Sequence, residues 1–209
     1  MFTYQYAQPD GYHFSLDSIG LAEFVAEELK LIPDLNQWRV LDLCAGCGVI
    51  GIELSWYLPE LRHIDFIEVQ DIYLTYFQQN VATVNRAELN LQWHTLNYDV
   101  LLEKNWQNQF NLIISNPPYF QPQHGMLSPS EFKNRCRFYL DSTFERFIGA
   151  MVNTLAPGGR AYFLLRSLDQ HGFNAFLAIQ HLLQNKNATA IKLSKIRGTD
   201  VILLVKSFS

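Results

Sequence analysis

The sequence Asn-Pro-Pro-Tyr-Phe, residues 116–120, directly follows an apolar run, residues 110–115, that has the composition of a buried strand. Proline cannot donate a backbone hydrogen bond, and it holds the residue before it in an extended conformation. The pair Pro117-Pro118 therefore ends the strand and stiffens the backbone around it. The pattern predicts that Asn116 presents a rigid side-chain amide where a buried strand reaches the surface.

A glycine-rich turn, residues 42–51, follows an earlier apolar strand and precedes a helical pattern. Gly46, Gly48 and Gly51 fit the spacing G-x-G-x-x-G. Glycines in this arrangement make a tight turn into a helix and let the backbone approach a bound nucleoside closely. The turn therefore predicts a nucleotide or nucleoside site.

Three carboxylates accompany this turn, and their order predicts the ligand. Glu68 ends the second strand, 20 residues after Gly48, where an acid accepts hydrogen bonds from both ribose hydroxyls. Asp99 follows the third strand, where it could reach an adenine amino group. Asp42 precedes the glycines, a position that suits a ligand ammonium and not a pyrophosphate. The set predicts a nucleoside with a cationic amino-acid tail, S-adenosylmethionine.

The amide of Asn116 follows a strand beside the one that carries the glycine turn, so it should face the methyl end of this ligand. An exocyclic amine is a poor nucleophile because its lone pair is delocalised. Acceptance of its protons by the Asn116 oxygen and the Pro117 carbonyl would aim that lone pair at the sulfonium methyl. Tyr119 could stack on a planar substrate. These three residues are the predicted catalytic set.

Cys44 and Cys47 also match C-x-x-C, but no second pair supplies the two further ligands that a zinc site needs. A redox pair is the alternative, although both cysteines lie in a turn that requires small residues. The histidines show no metal-ligand spacing, and we predict no metal. His124, in the long segment after Phe120, is the histidine expected near the substrate.

Length and composition predict a single domain, residues 1–209, since 48% apolar residues and 14% aromatics are ample for a core. The chain shows no signal-peptide pattern and no apolar window long enough to span a membrane. Three cysteines cannot form a disulfide framework. These features predict a cytoplasmic protein.

The net charge of −4 conceals an asymmetry along the chain. Residues 1–130 carry 5 Lys+Arg against 15 Asp+Glu, whereas residues 131–209 carry 11 against 5. This division predicts a basic face on an acidic protein, with ordinary solvated charges as the alternative.

Strand and helix patterns alternate, which predicts an α/β fold with helices on both faces of a mostly parallel sheet. The seven predicted strands cover residues 39–43, 64–68, 91–94, 111–115, 161–165, 188–196 and 201–206. The predicted helices cover residues 18–31, the segment from the glycine turn to 58, and residues 71–86, 142–155 and 171–183. The last two strands should form an antiparallel hairpin. An N-terminal segment and helix, residues 1–35, precede the sheet, and an insert, residues 120–140, lies on the substrate side.

A second motif lies near the start of the chain, Phe-Ser-Leu-Asp-Ser-Ile-Gly-Leu-Ala at residues 14–22. With residues 116–120 it resembles the class I S-adenosylmethionine-dependent methyltransferases with the N-P-P-Y motif, and more narrowly the bacterial tRNA (adenine-37-N6) methyltransferases. The resemblance covers most of residues 10–165 and implies a Rossmann-like fold, methylation of adenine N6 beside the anticodon, and a tRNA partner. It also implies that Ser15 and Asp17 line the methionine end of the cofactor. Cys44 and Cys47, where the family commonly has glycine or threonine and serine, and the acidic composition are departures from the family.

Two residue sets complete the prediction. The predicted cofactor-binding residues are Ser15, Asp17, Asp42, Cys44, Gly46, Gly48, Glu68, Val69, Asp99 and Asn116. The predicted RNA contacts are Phe120, Lys133, Arg135 and Arg137 in the insert and Lys192, Lys195 and Arg197 near the hairpin.

The main alternative is a release-factor-type protein glutamine N5-methyltransferase, because those enzymes share N-P-P-Y. They usually carry a separate N-terminal helical domain, and about 35 residues precede the first strand here. A cofactor-binding module without catalysis would be expected to lack Asn116 or Pro117. An NAD-dependent oxidoreductase would leave the N-P-P-Y motif unexplained.

Overall fold

The computed structural model describes residues 3–11, 13–122, 125–166 and 173–208. Its described residues form one seven-stranded sheet in the order β3-β2-β1-β4-β5-β7-β6. The strands are β1 (Arg39–Leu43), β2 (His63–Glu68), β3 (Asn90–Thr95), β4 (Phe110–Ser115), β5 (Leu155–Leu165), β6 (Ala188–Ile196) and β7 (Thr199–Lys206). Strands β1 to β5 are parallel, and β7 is antiparallel to both β5 and β6. The predicted Rossmann-like sheet with a C-terminal antiparallel hairpin is confirmed.

The helices are α1 (Leu16–Leu29), α2 (Val49–Tyr57), α3 (Ile72–Val81), α4 (Glu131–Arg137), α5 (Phe144–Thr154) and α6 (Ala175–Leu182). Short 3₁₀ helices cover Leu35–Gln37, Tyr98–Leu102 and Lys104–Trp106. No helix in the described part of the chain is long and apolar enough to cross a membrane.

The helices cover both faces of the sheet because the strand side chains alternate. In β5, Tyr162 and Leu164 pack with α1, α2 and α3, whereas Phe163 and Leu165 pack with α5 and α6. All four side chains are at most 4% exposed. This alternation follows from the period of two in an extended strand.

The site lies where the direction of strand order reverses. Strand β1 pairs with β2 on one side and with β4 on the other, so the chain crosses the sheet in opposite directions from this point. Register places Leu43 beside Ile67 and Ser115, which brings Cys44, Glu68 and Asn116 to one edge of the sheet. A crevice outside the carboxyl ends of strands at such a point is the usual ligand site of open α/β sheets.

Several predicted boundaries were wrong by a few residues. Residues 157–159, Pro-Gly-Gly, do not separate helix from strand but lie within β5, beside a register shift in its pairing with β4. Gly159 is closely surrounded there: a Cβ on it would lie 2.8 Å from the Ala156 carbonyl oxygen and 3.1 Å from that of Phe110. Helix α3 ends at Val81, not near residue 86. After its end, the Thr83 hydroxyl donates to the Asn80 carbonyl oxygen at 2.6 Å.

Some helices begin a few residues away from the predicted starts. Helix α1 begins at Leu16 after an extended Ser15, two residues before the predicted start at residue 18, and Asp17 lies in its first turn. Helix α4 lies in the insert and begins at Glu131, after Ser130, whose side chain caps the helix by accepting from the Lys133 N–H. The predicted helix over residues 171–183 is observed as α6, which begins at Ala175, and residues 171–172 lie outside the described chain.

Candidate active site

A cavity of ≈ 300 Å³ opens at the carboxyl edge of β1, β2 and β4. The glycine turn, the end of β2, the segment after β4, the N-terminal segment and the insert all contribute to its wall. The predicted site residues that line it are Ser15, Asp17, Cys44, Gly46, Glu68, Val69, Asn116, Pro117, Tyr119, Phe120, Arg135 and Arg137. The structure thus brings together the predicted catalytic residues and most of the predicted cofactor-binding ones.

The glycine turn reverses the chain through left-handed backbone conformations, with φ +54° at Gly46 and +84° at Gly48. Gly46 lines the cavity, whereas Gly48 does not. A Cβ on Gly48 would lie 2.7 Å from Cδ2 of Phe77 in α3. Gly48, predicted as a cofactor contact, therefore serves the close packing of the turn against α3.

Glu68 is held in place by backbone donors. Its Oε2 accepts from the Gly46 N–H at 3.0 Å, and its Oε1 accepts from the Gln70 N–H at 3.0 Å. Burial raises the pKa of this carboxyl above its ordinary value, while the backbone N–H donors act in the opposite direction. Each carboxylate oxygen has further lone-pair capacity, so both could accept a ligand hydroxyl.

Asp42 and Asp99, two of the predicted cofactor-binding residues, do not line the cavity. The Asp42 carboxylate is fully buried, and its Oδ2 accepts from the Gly51 N–H at 2.8 Å at the start of α2. Asp99 lies in the first turn of the 3₁₀ helix Tyr98–Leu102, where its Oδ2 pairs with Arg146 at 2.7 Å and its Oδ1 accepts from the hydroxyl of Ser142, a residue of the cavity wall. Their contacts with a ligand ammonium and with adenine stay predictions.

The Asn116 amide is held at both of its ends. Its Nδ2 donates to Ser18 Oγ at 3.0 Å, and its Oδ1 accepts from the Tyr119 hydroxyl at 2.5 Å. Ser18 belongs to the first turn of α1 and is 5% exposed. The contact with Ser18 orients the amide so that its oxygen lies beside Tyr119 at the cavity.

Asp17 is engaged by two arginines. Arg197 Nε lies 3.3 Å from its Oδ1, and Arg166 Nη2 lies 3.7 Å from its Oδ2. The Arg166 guanidinium also lies over the Tyr119 ring, 4.9 Å from its centroid. Asp17 therefore lines the cavity and belongs to a cationic cluster there.

The insert is closed by its two ends. The backbone N–H groups of Tyr119 and Phe120 both donate to the Arg137 carbonyl, at 3.1 and 3.0 Å. The Tyr139 N–H donates to the Phe120 carbonyl oxygen at 2.9 Å. These bonds hold α4 beside the Asn-Pro-Pro-Tyr-Phe segment. His124 lies outside the described residues.

The predicted cations of the insert have different surroundings. Arg135 forms a two-oxygen ion pair with Asp141, with its Nε 3.0 and 3.1 Å from the two carboxylate oxygens, so its charge is compensated within the protein. The Arg137 guanidinium lies over the Phe120 and Phe138 rings, 5.4 and 5.8 Å from their centroids. Lys133, like Lys192, Lys195 and Arg197, is not part of the cavity wall.

Within the described part of the chain the cysteines belong to no metal-binding group. Among the described residues no group of three or more His, Cys, Asp or Glu side chains is arranged to hold a metal ion. Burial raises the pKa of the Cys47 thiol to about 12 and that of Cys44 well above its ordinary value. Both thiols therefore stay protonated near neutral pH, which disfavours thiolate chemistry.

Some cavity residues were missed by sequence reasoning, among them Tyr73, Tyr98, Cys136, Asp141, Ser142 and Arg166. Arg166 carried a usable signal, since it is the first residue after β5 and so lies at the carboxyl edge of the sheet. Asp141 and Ser142 carried none, because the insert determines where they lie.

Solved structures share this architecture. A precorrin-6y C5,15-methyltransferase from Geobacter metallireducens GS-15 superposes with a TM-score of 0.57 and 14% identity, over 99% of this chain and 96% of the other. A ribosomal protein L11 methylase from Lactobacillus delbrueckii subsp. bulgaricus gives a TM-score of 0.59 and 16% identity, over 93% and 81%. These likenesses define the fold class, a Rossmann-like class I methyltransferase fold.

Sequence comparison defines the family. Residues 22–190 match the family described as Methyltransferase small domain, and the chain belongs to this family. It is 25% identical over 173 residues to a tRNA1(Val) (adenine(37)-N6)-methyltransferase of Shewanella sp. (strain W3-18-1). The aligned residues cover 81% of this chain and 71% of the relative.

Two further relatives differ in substrate. The enzyme of the same name from Erwinia tasmaniensis is 35% identical over 128 residues, 61% of this chain and 50% of the relative. A release factor glutamine methyltransferase from Clostridium botulinum is 32% identical over 102 residues, 48% of this chain and 34% of the relative. The chain is therefore an S-adenosylmethionine-dependent N-methyltransferase.

Proposed function

We propose that this enzyme methylates the exocyclic N6 of an adenine in tRNA, beside the anticodon. The observation that carries the proposal is the Asn116 amide, held by Ser18 and Tyr119 at the wall of a nucleoside-sized cavity. The aromatic side chains of Tyr119 and Phe120 line the same cavity, and stacking between aromatic side chains is how a flipped base is recognised. A tRNA substrate would place the activity in the cytoplasm.

The residues present fit S-adenosylmethionine. Glu68, whose two oxygens are fixed by backbone N–H groups at the cavity wall, would accept from the ribose hydroxyls. Gly46, Cys44 and Val69 would line the nucleoside, while Ser15 would lie toward the methionine end. We do not extend this role to Asp42, Asp99 or Gly48, which lie outside the cavity wall.

The cofactor supplies an electrophilic sulfonium methyl group, which a correctly oriented nitrogen lone pair can attack. Asn116 Oδ1 and the Pro117 carbonyl would accept the two protons of the exocyclic amine and so orient its lone pair. Preorganised acceptors also stabilise the positive charge that develops on the nitrogen, and they require no reorganisation during the reaction. The Tyr119 hydroxyl, which donates to Asn116 Oδ1, holds that acceptor at the cavity.

The second candidate substrate is a glutamine side chain of a release factor, favoured by the Clostridium botulinum relative. A glutamine amide offers the same planar nitrogen to Asn116, so the catalytic group alone does not distinguish the two. Aromatic rings and arginines around the amide favour the base, because a peptide glutamine requires neither stacking nor phosphate contacts.

The test uses tRNA from a strain that lacks this gene. The purified enzyme and S-adenosylmethionine should convert an adenosine of that tRNA to N6-methyladenosine, detected by mass spectrometry of nucleosides, and Asn116→Ala should do so far more slowly. Methylation of a release-factor glutamine with no change in tRNA would transfer the proposal to the alternative.

A further inference from the structure

The carboxyl end of β5 carries an arginine, Arg166, that none of the predicted roles uses. Its guanidinium lies over the Tyr119 ring, its Nε donates to Thr199 Oγ1 at 3.1 Å, and its side chain is 46% exposed. It also lines the cavity. A cation is therefore held beside the catalytic segment while still open to a ligand.

The charge around Arg166 is not balanced. Asp17, 6% exposed, is shared by Arg166 and Arg197. Asp200, 10% exposed, is likewise shared by Lys192 at 2.8 Å and Lys195 at 3.5 Å. Each acid contacts two cations, so the cluster of these six residues has a net positive charge. An anion of the substrate or cofactor would complete it.

Arg166 lies at the inner end of this cluster. Strand β7 pairs with β5 so that Asp200 lies beside Leu165, which brings the hairpin tip to the edge that carries Asn116. The cluster therefore runs from Tyr119 outward along the hairpin. A row of cations that begins at a base pocket has the form of a phosphate-backbone track.

We infer that Arg166 binds the phosphate of the target nucleotide and that the Lys192, Lys195 and Arg197 side of the cluster continues this track. The inference rests on the proposed nucleic-acid substrate. A guanidinium matches phosphate geometry with two parallel N–H donors, and a ring face restricts its rotation in advance. The phosphate contact would hold the flipped nucleotide while Asn116 orients its amine.

The test measures tRNA affinity across salt concentrations in the presence of S-adenosylhomocysteine. Arg166→Gln should weaken binding by about tenfold, the effect of one charged hydrogen bond, and flatten the log–log salt slope by about 0.7–0.9. Arg166→Lys should keep the slope. The matched control is Lys186→Gln, an exposed cation that precedes β6 at the opposite edge of the sheet, and it should change neither quantity.

A tRNA with one uncharged methylphosphonate linkage beside the target adenosine isolates the contact. The parent enzyme should lose affinity for this RNA, and Arg166→Gln should lose none beyond its own defect. If Arg166→Gln lost as much affinity for the methylphosphonate tRNA as the parent does, the inference would be overturned. An unchanged salt slope of tRNA binding in Arg166→Gln would overturn it as well.

S-adenosylhomocysteine affinity, measured by calorimetry, separates the remaining outcomes. It should be the same in the parent and in Arg166→Gln. A lower affinity with an unchanged tRNA slope would assign Arg166 to the carboxylate of the cofactor and overturn the inference while leaving the proposed function intact. A parent enzyme that neither binds nor methylates tRNA would instead reject the proposed function itself.

Discussion

The orientation of the Asn116 side-chain amide is fixed by its neighbours. An isolated amide can exchange the positions of its oxygen and nitrogen by rotation, but Ser18 accepts from Nδ2 and the Tyr119 hydroxyl donates to Oδ1. Prolines at 117 and 118 restrict the backbone behind it. The acceptor is thus in position before the substrate arrives, which is the form of catalysis that needs no strong base.

Asn116→Ala should therefore separate binding from chemistry. S-adenosylhomocysteine affinity should stay nearly unchanged, while the single-turnover rate of methyl transfer should fall by about 10²–10³, as for loss of one preorganised polar contact. Asn90→Ala, at an exposed position in β3, is the control. An unchanged rate in Asn116→Ala would make this amide structural only.

Glu68 should give cofactor binding a dependence on pH. Burial raises the pKa of the Glu68 carboxyl above its ordinary value of 4.5. The folded state thus holds this proton more tightly than the unfolded chain, and the group's contribution to stability is present below pH 4.5 and is lost as pH rises through the folded pKa. Ligand hydroxyls need the ionised form, so cofactor affinity should change in the opposite direction.

Calorimetry with S-adenosylhomocysteine should show affinity falling on acidification while the pH is still above 4.5. Glu68→Gln should weaken binding at neutral pH by about 1–3 kcal/mol, because an amide N–H₂ would meet the backbone donors, and the pH dependence should disappear. The exposed Glu103→Gln is the control. A pH dependence that survives in Glu68→Gln would belong to another group.

The individual site residues were predictable where a strand end alone decides their position. Glu68 and Asn116 come directly at or after strand ends, so the topology places them in the crevice. Asp99 was not predictable because Asn97 accepts from its N–H and starts a 3₁₀ helix that turns the carboxylate toward Arg146. Such short caps depend on tertiary neighbours that a single sequence does not reveal.

The glycine turn and the hairpin tip contain two glycines with similar backbone and different surroundings. Gly48 has φ +84° and Gly198 has φ +89°. A Cβ on Gly48 would collide with Phe77, whereas a Cβ on Gly198 would meet nothing within 4 Å. Substitution of Gly198 therefore measures the cost of backbone strain alone, whereas substitution of Gly48 measures strain and steric crowding together.

Gly198→Ala should cost about 1–2 kcal/mol of unfolding free energy, the strain of a left-handed residue. Gly48→Ala should cost about 1–3 kcal/mol more, since overpacking adds to the same strain. It should also weaken S-adenosylhomocysteine binding, because Phe77 or the turn must move. Denaturant unfolding and calorimetry measure both effects, and equal costs for the two variants would mean that the turn absorbs the Cβ.

The elements themselves were largely predictable from periodicity and turn residues. The seven strands emerged because their apolar runs are short and bounded. The two-residue turn Arg197-Gly198 has positive φ at both positions, as the favoured hairpin turn requires. The start of β5 was not predictable, because Pro-Gly-Gly usually ends a regular element, whereas residues 157–159 lie within the strand.

At the scale of the molecule, the unequal distribution of charge along the sequence corresponds to an unequal distribution of charge around the cavity. The net charge is −4, yet the hairpin side of the cavity carries four cations on two buried acids. The acidic first part of the chain supplies the glycine turn and Glu68, which surround the cofactor. The enzyme can thus attract a polyanion at one side of its site although its total charge is negative.

Neutralising Lys195 and Arg197 together should test whether this side docks RNA. Their side chains are 70% and 63% exposed, and Asp200 and Asp17 keep Lys192 and Arg166 as partners, so the fold should tolerate Lys195→Gln with Arg197→Gln. Loss of two phosphate contacts should flatten the log–log salt slope of tRNA binding by about 1.4–1.8. The control carries Lys104→Gln and Lys186→Gln, which remove the same charge at exposed positions before β4 and β6, at the opposite edge of the sheet.

Filter binding of tRNA from 50 to 300 mM salt, roughly the range over which phosphate contacts dominate, would measure both slopes. The hairpin variant should differ from the parent and the control should not. If the salt slope of tRNA binding were flattened equally in both variants, the effect would be due to net charge alone. A long-range field depends on the total charge, whereas a contact with a docked phosphate depends on where the cation lies. Docking on the hairpin therefore requires that the same change of charge matter at one edge of the sheet and not at the other.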